Sequence, residues 1–324
     1  MQRGCACGAI GLFLIASLFF AGCSDLHPAQ PAQEKMSPGD LQMFVQDAAE
    51  YAGHTEKEMV LSQFNQKDGP FSHGDLYIYA YDYNGTLLAH PYQLEHVGTN
   101  RMNWTDARGL PAIRIGAHVA ANGGGFIAYL YPSPSGGEIN ESFRDSYVPK
   151  IGYVCPAGDD WWVASGIYFT DSDEGGDSAV PNAVSEMITL VERGVLYGRD
   201  QGETTAFAEI SNKSGIFVDA DAHYLYAYDY NGTLLAHPHI PASIGSSLID
   251  RQDPFGMKMI RALADTAYSG GGYVVFVWPN PEKENRQELK IGYVLPVDER
   301  WWIGSGVYLS EITGVDTSFP VPSP

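Results

Sequence analysis

Positive charge is scarce in this sequence: 19 Lys and Arg stand against 39 Asp and Glu in 324 residues, a formal net charge of -20. No run of Lys or Arg gathers the few cations into a patch, so composition excludes a nucleic-acid-binding surface. Cysteine is equally sparse. Cys5, Cys7 and Cys23 lie in the first 23 residues and only Cys155 follows them, so the remainder of the chain can form no internal disulfide. Long apolar runs are absent too. The longest, Ile10 to Phe20, is interrupted by Gly11 and Ser17 and is shorter than the roughly 20 residues a membrane span requires. What the chain does have is 44% hydrophobic residues, 36 Gly and 20 Pro, a composition for globular domains and too apolar for disorder; the length suits two domains at roughly 100–200 residues each.

Residues 1–22 resemble a lipoprotein signal peptide: Arg3, the short apolar run, then Phe20-Ala21-Gly22-Cys23. Small residues before a cysteine suit a peptidase that cleaves there and leaves Cys23 to be lipidated. On this reading the chain is exported and anchored to the outer face of the cell membrane through Cys23, and residues 23–36, with Pro28 and Pro31 and little that packs, form a tether. An uncleaved anchor or an ordinary secretory signal is the alternative. Cys155 lies in Lys150-Ile151-Gly152-Tyr153-Val154-Cys155-Pro156, whose later counterpart has Leu295 in its place, which predicts a buried apolar role.

That counterpart belongs to a duplication. The thirteen residues from Tyr79 to Pro91 (YAYDYNGTLLAHP) recur unchanged from Tyr226 to Pro238. The offset continues through Asp106/Asp253, Gly109/Gly256, Arg114/Arg261 and Gly125/Gly272, then shortens at Lys150/Lys290, so the first copy carries seven extra residues between Pro132 and Lys150. Both copies close on Trp-Trp-x-x-Ser-Gly-x-Tyr, at 161–168 and 301–308. Two domains, 37–172 and 178–312, with a tail at 313–324, account for the rest of the chain.

Each copy opens with helical spacing. In the first, Ser37 is the cap, Pro38 opens the first turn, Asp40 completes a capping box, and Leu41, Phe44, Val45, Ala48 and Ala52 share a face. In the second, Val184, Met187, Ile188, Val191 and Val195 do so. Aromatic and β-branched runs at 76–82, 86–90, 125–131, 150–155 and 161–168 predict strands, as do their partners in the second copy. Asn84-Gly85 and Asn231-Gly232 predict two-residue hairpin turns with positive φ, and helical spacing at 106–122 and 253–269 predicts a crossover. The fold class is therefore α+β: two tandem PAS-like units, each a long N-terminal helix and a five-stranded antiparallel sheet with a helical crossover.

The repeated Tyr-x-Tyr-Asp-x-x-Gly-x-x-x-Ala-His-Pro pair, Gly98/Gly245, Asp-x-x-Gly, the Gly-Gly before an aromatic strand, the Lys that leads the fourth strand, and the closing Trp-Trp-x-x-Ser-Gly-x-Tyr together resemble extracytoplasmic Cache domains of the single, type 2 kind. The resemblance covers almost the whole of each repeat. It implies sensor domains that bind small molecules, often short organic acids, outside the membrane. In that family such domains are usually the input half of chemoreceptors or kinases; here the sequence after Tyr308 reaches Pro324 without a span or an output domain, so the expectation is a tethered binding protein that serves a membrane receptor, kinase or transporter.

Catalytic templates fail. Gly304-Ser305-Gly306 lacks the glycines two residues either side of Ser that a nucleophile elbow needs. His237 and His239 lie on a Pro-rich strand end, and the first copy has Tyr92 in place of His239, so no metal site or other cofactor is expected. Gly123–Gly125 and Gly270–Gly272 precede strands and do not open helices, which removes a phosphate cradle. No enzymatic activity is expected.

What remains is a polar set inside apolar strands: Tyr79, Tyr81, His90, Asp106, Arg114, Tyr129, Tyr131 and Lys150, against Tyr226, Tyr228, His237, Asp253, Arg261, Phe276, Trp278 and Lys290. A cation, directed hydroxyl and imidazole donors and water-excluding aromatic faces are what a small carboxylate requires, each charged hydrogen bond being worth about 1.5–3 kcal/mol. The expected ligand is thus a small organic anion. The same residues have structural uses: tyrosines fill cores, His-Pro ends a strand, Asp-x-x-Gly makes a turn or cap, and Arg114 or Lys150 can pair with a nearby acid. The copies diverge at 92–105 against 239–252, where Arg101 aligns with Leu248 and Trp104 with Arg251, so their pockets differ; the seven extra residues near 133–149 make either a lid or surface decoration. A second class of protein also fits: an adhesive or structural surface protein decorated at the sequons of Asn84, Asn103, Asn140, Asn212 and Asn231.

Overall fold

The computed structural model describes residues 36–73, 76–132, 141–142, 144–168, 180–218 and 223–320. The leader, Cys23 and the tether through residue 35 lie outside the described residues, as do 133–140 of the longer loop.

Residues Lys35–Pro324 form one compact unit with two similar halves. The first runs α1 (Pro38–Gly53), α2 (Lys57–Phe64), β1 (Ser72–His73), β2 (Leu76–Tyr77), β3 (Tyr79–Asp82), β4 (Leu87–Ala89), α3 (Ala112–Ala121), β5 (Gly125–Tyr131), β6 (Val148–Pro156) and β7 (Trp161–Tyr168). The second runs α4 (Asn182–Gln201), α5 (Glu203–Ile210), β8 (Tyr226–Asp229), β9 (Leu234–Ala236), α6 (Met259–Tyr268), β10 (Gly272–Asn280), β11 (Arg286–Pro296), β12 (Trp301–Tyr308) and α7 (Leu309–Thr313). The sheets have the orders β4-β3-β7-β6-β5 and β9-β8-β12-β11-β10, antiparallel throughout. The predicted α+β architecture is therefore present in both copies. The short helices α2 and α5 are additional: each buries only two residues, Val60 and Phe64 or Ala206 and Ile210, too brief a pattern to stand out in sequence.

α1 begins as the sequence requires. Ser37 Oγ accepts from the Asp40 amide at 3.2 Å, the Asp40 carboxylate accepts from the Ser37 amide at 2.9 Å, and Leu41, Val45, Ala48 and Ala52 are buried on one face. That face lies on β6 and β7. Strand alternation then assigns the two surfaces of the sheet. Tyr153 reaches Gln46 of α1, whereas Trp162, of opposite parity through the pairing of Tyr153 with Ser165, meets Gly116 of α3. One face of each sheet thus carries the long helix and the other, bearing the even positions of β7, faces the crossover helix. Cys155 is half-buried rather than fully enclosed, and burial pushes its thiol up, which leaves little thiolate at neutral pH.

The hairpins differ from the two-residue turns that the sequence predicts. Gly85 and Gly232 have φ of 86° and 79°, but Asn84 and Asn231 are not in the positive region. The Gly85 amide donates to Asp82 O at 3.0 Å, the Thr86 amide donates to the Asp82 carboxylate at 2.7 Å, and the register shifts between Ala80 and Tyr81. The Asp side chain closes a longer loop, leaving left-handed geometry to glycine alone.

The halves share a hydrophobic core that joins the first repeat to the pocket side of the second. The chain beyond α7 contributes to the joint. Phe319 lies between His118 of α3 and Phe255 of the second repeat, with ring centroids 5.9 and 5.8 Å away, and its amide donates to Gln287 O. Glu288, fully buried, accepts from Asn280 Nδ2, the Ser310 amide and Thr317 Oγ1 at 2.6–2.7 Å, which fastens the tail to β11. Phe319→Ala is expected to cost about 3 kcal/mol, as for a buried Phe elsewhere, read as a lower midpoint in urea unfolding; an unchanged midpoint would mean that the tail adds nothing to the joint.

Candidate functional site

Each sheet has a pocket on its crossover-helix face. The first is lined by Tyr77, Tyr79, Tyr81, His90, Arg101, Trp104, Ala112, Ile113, Ile127, Tyr129, Tyr131 and Trp162, and encloses about 410 Å³ with its mouth included. The second is lined by Tyr224, Tyr226, Tyr228, His237, Ile260, Leu263, Phe276, Trp278 and Lys290, and encloses about 320 Å³. Both figures include open solvent at the mouth, and the space enclosed between the side chains is much smaller.

The repeated motifs build the same aromatic frame twice. Tyr79 stacks on His90 and Tyr226 on His237, with interplanar angles of 20° and 14°; Tyr81 stacks on Trp162 and Tyr228 on Trp302, both at 5.2 Å. The second Trp of each Trp-Trp pair therefore serves the pocket. The first lies on the helix side, Trp161 under Lys57 and Trp301 against Phe207. Alternation in β3 and β8 sends both tyrosines of Tyr-x-Tyr to the pocket face.

The two histidines are held in one tautomer. His90 Nδ1 accepts from the Tyr92 amide at 3.1 Å, and His237 Nδ1 accepts from the amides of His239 and Ile240 at 3.0 and 3.3 Å. The neutral ring then carries its proton on Nε2 as a donor. Burial first, then the nearby cations, keeps His90 neutral well below the usual imidazole range; burial, His239 and Lys290 take His237 down to about 3.

Lys150 and Lys290 are buried at 1% and 3% exposure in β6 and β11. Each runs its stem past a glycine: a Cβ on Gly166 or Gly306 would sit 2.6 or 2.7 Å from the lysine Cε, which is the physical reason for the glycine in Ser-Gly-x-Tyr. The two heads differ. Lys150 donates to the hydroxyls of Tyr77 and Tyr168, both at 3.1 Å, and stands behind the first pocket. Lys290 lies over the rings of Tyr224 and Tyr308 at 4.9 and 4.4 Å, lines the second pocket, and among the described residues makes no hydrogen bond or ion pair.

Besides Lys150, which does not line its pocket, four of the expected site residues lie elsewhere. Asp106 is fully buried, and its carboxylate accepts from the amides of Arg108, Leu110 and Leu130; Asp253 accepts from those of Phe255 and Met257. Each Asp-x-x-Gly is a turn clasp, with Gly109 and Gly256 at φ of 100° and 87°. Burial raises the Asp106 carboxyl to about 6 against the pull of those amides, and that of Asp253 shifts the same way. Arg114 and Arg261 are exposed on the outer faces of α3 and α6. The first donates to Asn103 and to Phe255 O across the joint, and the second pairs with Asp250. The helical spacing that placed them in the crossover also turns them away from the sheet. Ser305 is fully buried and donates to Tyr224 O, so it has a structural partner. Tyr77, Tyr224, Arg101 and Trp104 line the pockets but are missing from the candidate set; divergence between the copies had marked only the last two, as a source of difference.

Arg101 belongs to a cluster found in the first pocket alone. Its Nη2 lies 2.7 and 2.8 Å from the two carboxylate oxygens of Glu141, which also accept from Gln93 Nε2 at 2.8 Å and Trp104 Nε1 at 3.1 Å. Burial opposes the charged form, yet the hydrogen bonds of Gln93 and Arg101 hold the Glu141 carboxyl below its usual range. In the second pocket the Arg251 guanidinium lies 4.2 Å from the Trp278 ring centroid on the exposed side.

The family described as Single Cache domain 2 matches residues 48–182 and 182–319, and the chain belongs to it. Domains of this family are extracytoplasmic and bind small ligands. Ninety residues are 34% identical to the sensor histidine kinase MctS of Rhizobium johnstonii, covering 28% of this chain and 19% of that protein. A stretch of 115 residues is 31% identical to the methyl-accepting chemotaxis protein CtpM of Pseudomonas aeruginosa, covering 34% of this chain and 20% of that protein. The chain thus spans about a fifth of the length of these relatives. A solved methyl-accepting chemotaxis protein from Vibrio parahaemolyticus is 25% identical with a TM-score of 0.35, covering 40% of this chain and 90% of its own. A Cache chemosensory domain described for carboxylic acid recognition is 21% identical with a TM-score of 0.35, covering 39% and 93%. At such scores the fold rests on the family match and on the strand order. No helix among the described residues is long and apolar enough to cross a membrane.

The depressed His237 has a sign that can be checked. Its folded value of about 3 lies below the unfolded value near 6.5, so its contribution to stability is full above pH 6.5 and is lost as pH falls toward 3. The stability difference between wild type and His237→Phe is expected to shift against wild type by about 1.4 kcal/mol per pH unit on acidification below 6.5, measured by urea unfolding at pH 7, 6 and 5. A constant difference would mean that His237 takes up its proton at the same pH in the folded and unfolded states.

Proposed function

We propose that this protein is an exported, membrane-tethered sensory module that binds a short organic anion in its second pocket, is anchored through a lipidated Cys23, and reports the bound state to a membrane receptor, kinase or transporter. One observation carries the ligand class. The Lys290 ammonium is almost fully buried, lines the pocket, lies over the rings of Tyr224 and Tyr308, and among the described residues has no hydrogen-bond or ion-pair partner. A buried cation is stable when an anion or a set of lone pairs meets it. The neutral His237 offers Nε2–H as a second donor, and Tyr226, Tyr228 and Phe276 exclude water from the same space, so a carboxylate there would have both charge and direction. The small volume favours an acid of few carbons. The sensory role follows from membership of the Cache family and from the names of the two relatives, a sensor kinase and a chemotaxis protein.

Calorimetric titration with acetate, propionate, lactate and pyruvate, with propionamide as the uncharged control, tests this reading. At least one acid is expected to bind, propionamide is expected not to, and Lys290→Met is expected to weaken the acid about 10–100-fold, the loss of one charged hydrogen bond. The exposed Arg261→Ala serves as a control with unchanged affinity. Equal affinity in Lys290→Met, or equal binding of propionamide, would remove the anion from the reading. No saturable binding by folded protein would favour the adhesive scaffold.

A further inference from the structure

We propose that Glu141 acts as a built-in carboxylate that occupies the anion-recognition corner of the first pocket, so that the first repeat takes a small organic acid only when that side chain is displaced. The inference rests on the anion reading above and adds what distinguishes the two repeats.

Glu141 comes from the longer loop of the first copy, and its backbone O is held by the Tyr147 hydroxyl at 3.1 Å. Its carboxylate is received as a ligand carboxylate would be: by the guanidinium of Arg101, the amide of Gln93 and the indole of Trp104, while the Tyr131 hydroxyl, 3.4 Å away, donates to Gln93 Oε1 at 2.9 Å and orients that amide. These four side chains come from two elements of the first repeat, the segment between β4 and α3 and strand β5. Three of the four, Arg101, Trp104 and Tyr131, line the pocket. Arg101 is itself 9% exposed, so its charge needs a nearby anion, and Glu141 supplies one at every ligand concentration.

The second repeat lacks the cluster. Ile240 stands where the first has Gln93, Leu248 where it has Arg101, and Trp278 where it has Tyr131, and the loop is seven residues shorter. The lysines follow the same division: Lys150 is tied to two tyrosine hydroxyls, whereas Lys290 opens on its pocket. A free acid therefore competes with an intramolecular carboxylate in the first pocket and with none among the described residues that line the second. Because the competitor is covalently attached, it acts at a high effective concentration.

Propionate titration of the full chain by calorimetry reads this as stoichiometry. Wild type is expected to bind one propionate, weakened about 10–100-fold in Lys290→Met. Glu141→Ala is expected to bind two, the new site surviving in Glu141→Ala/Lys290→Met with affinity at least 10-fold above any binding by Lys290→Met alone. Glu141→Gln, which keeps the shape and loses the charge, is expected to gain the second site more weakly and guards against a collapsed loop in the Ala variant. One propionate per chain in Glu141→Ala and Glu141→Gln, with the second pocket still binding, would overturn the inference and leave the anion reading standing. Loss of a first-pocket site present in wild type would overturn it in favour of Glu141 as a ligand contact. No binding of propionate, acetate, lactate or pyruvate by any variant, with folding verified by circular dichroism, would overturn the anion reading and this inference together.

Discussion

Each half of the molecule is arranged around one lysine that a β-sheet would ordinarily exclude. Lys150 and Lys290 occupy the penultimate strand of the sheet order, nearly removed from water, and their neighbours make that placement tolerable. The glycine opposite leaves room for the stem, tyrosine rings receive the head from either side, and cation–π contact recovers part of the lost hydration. The Tyr-rich strands and the closing Ser-Gly-x-Tyr are thus parts of one device for carrying a positive charge into the sheet.

The duplication preserves this device and varies what answers the charge. In the first copy hydroxyls meet the ammonium, and a separate guanidinium is met by a glutamate from the longer loop. In the second, the arginine has moved to the surface of Trp278 and the lysine faces open space. The aromatic frame hardly changes, since stacking angles agree to within a few degrees between copies. Divergence has altered electrostatics on a fixed apolar template, the cheaper route to a new preference because it leaves packing intact.

Much of this could be read from the sequence, and the parts that could not have physical reasons. The repeat, the capping box at Ser37, the strand runs and the pocket-facing positions of Tyr79, Tyr81, His90, Tyr129 and Tyr131 follow from period-two alternation and, for the first three of these residues, from identity between copies, which marks side chains under a common constraint. Arg114 and Arg261 were also shared, but their common constraint is the solvent face of a helix, a distinction that needs the helix phase. Asp106 and Asp253 were shared because three-dimensional turns need acceptors as much as ligands need donors. Glu141 and Glu288 could not be found by repetition at all, because each occurs in one copy and finds its partners only through the fold. The hairpins were misread for a similar reason: Asn-Gly gives the local preference, while the Asp82 carboxylate two residues earlier selects the longer loop.

The fixed tautomers of His90 and His237 have a bearing on what these pockets can report. Imidazole is ordinarily the side chain that makes a site respond to acidity, since it gains a proton between pH 5 and 8. Here backbone amides, one at His90 and two at His237, and burial among tyrosine rings hold it as a neutral N–H, and for His237 this persists down to about pH 3. A protein outside the cytoplasm meets swings in acidity that the cell interior does not. An imidazole held in this way presents the same N–H to its pocket at either end of those swings.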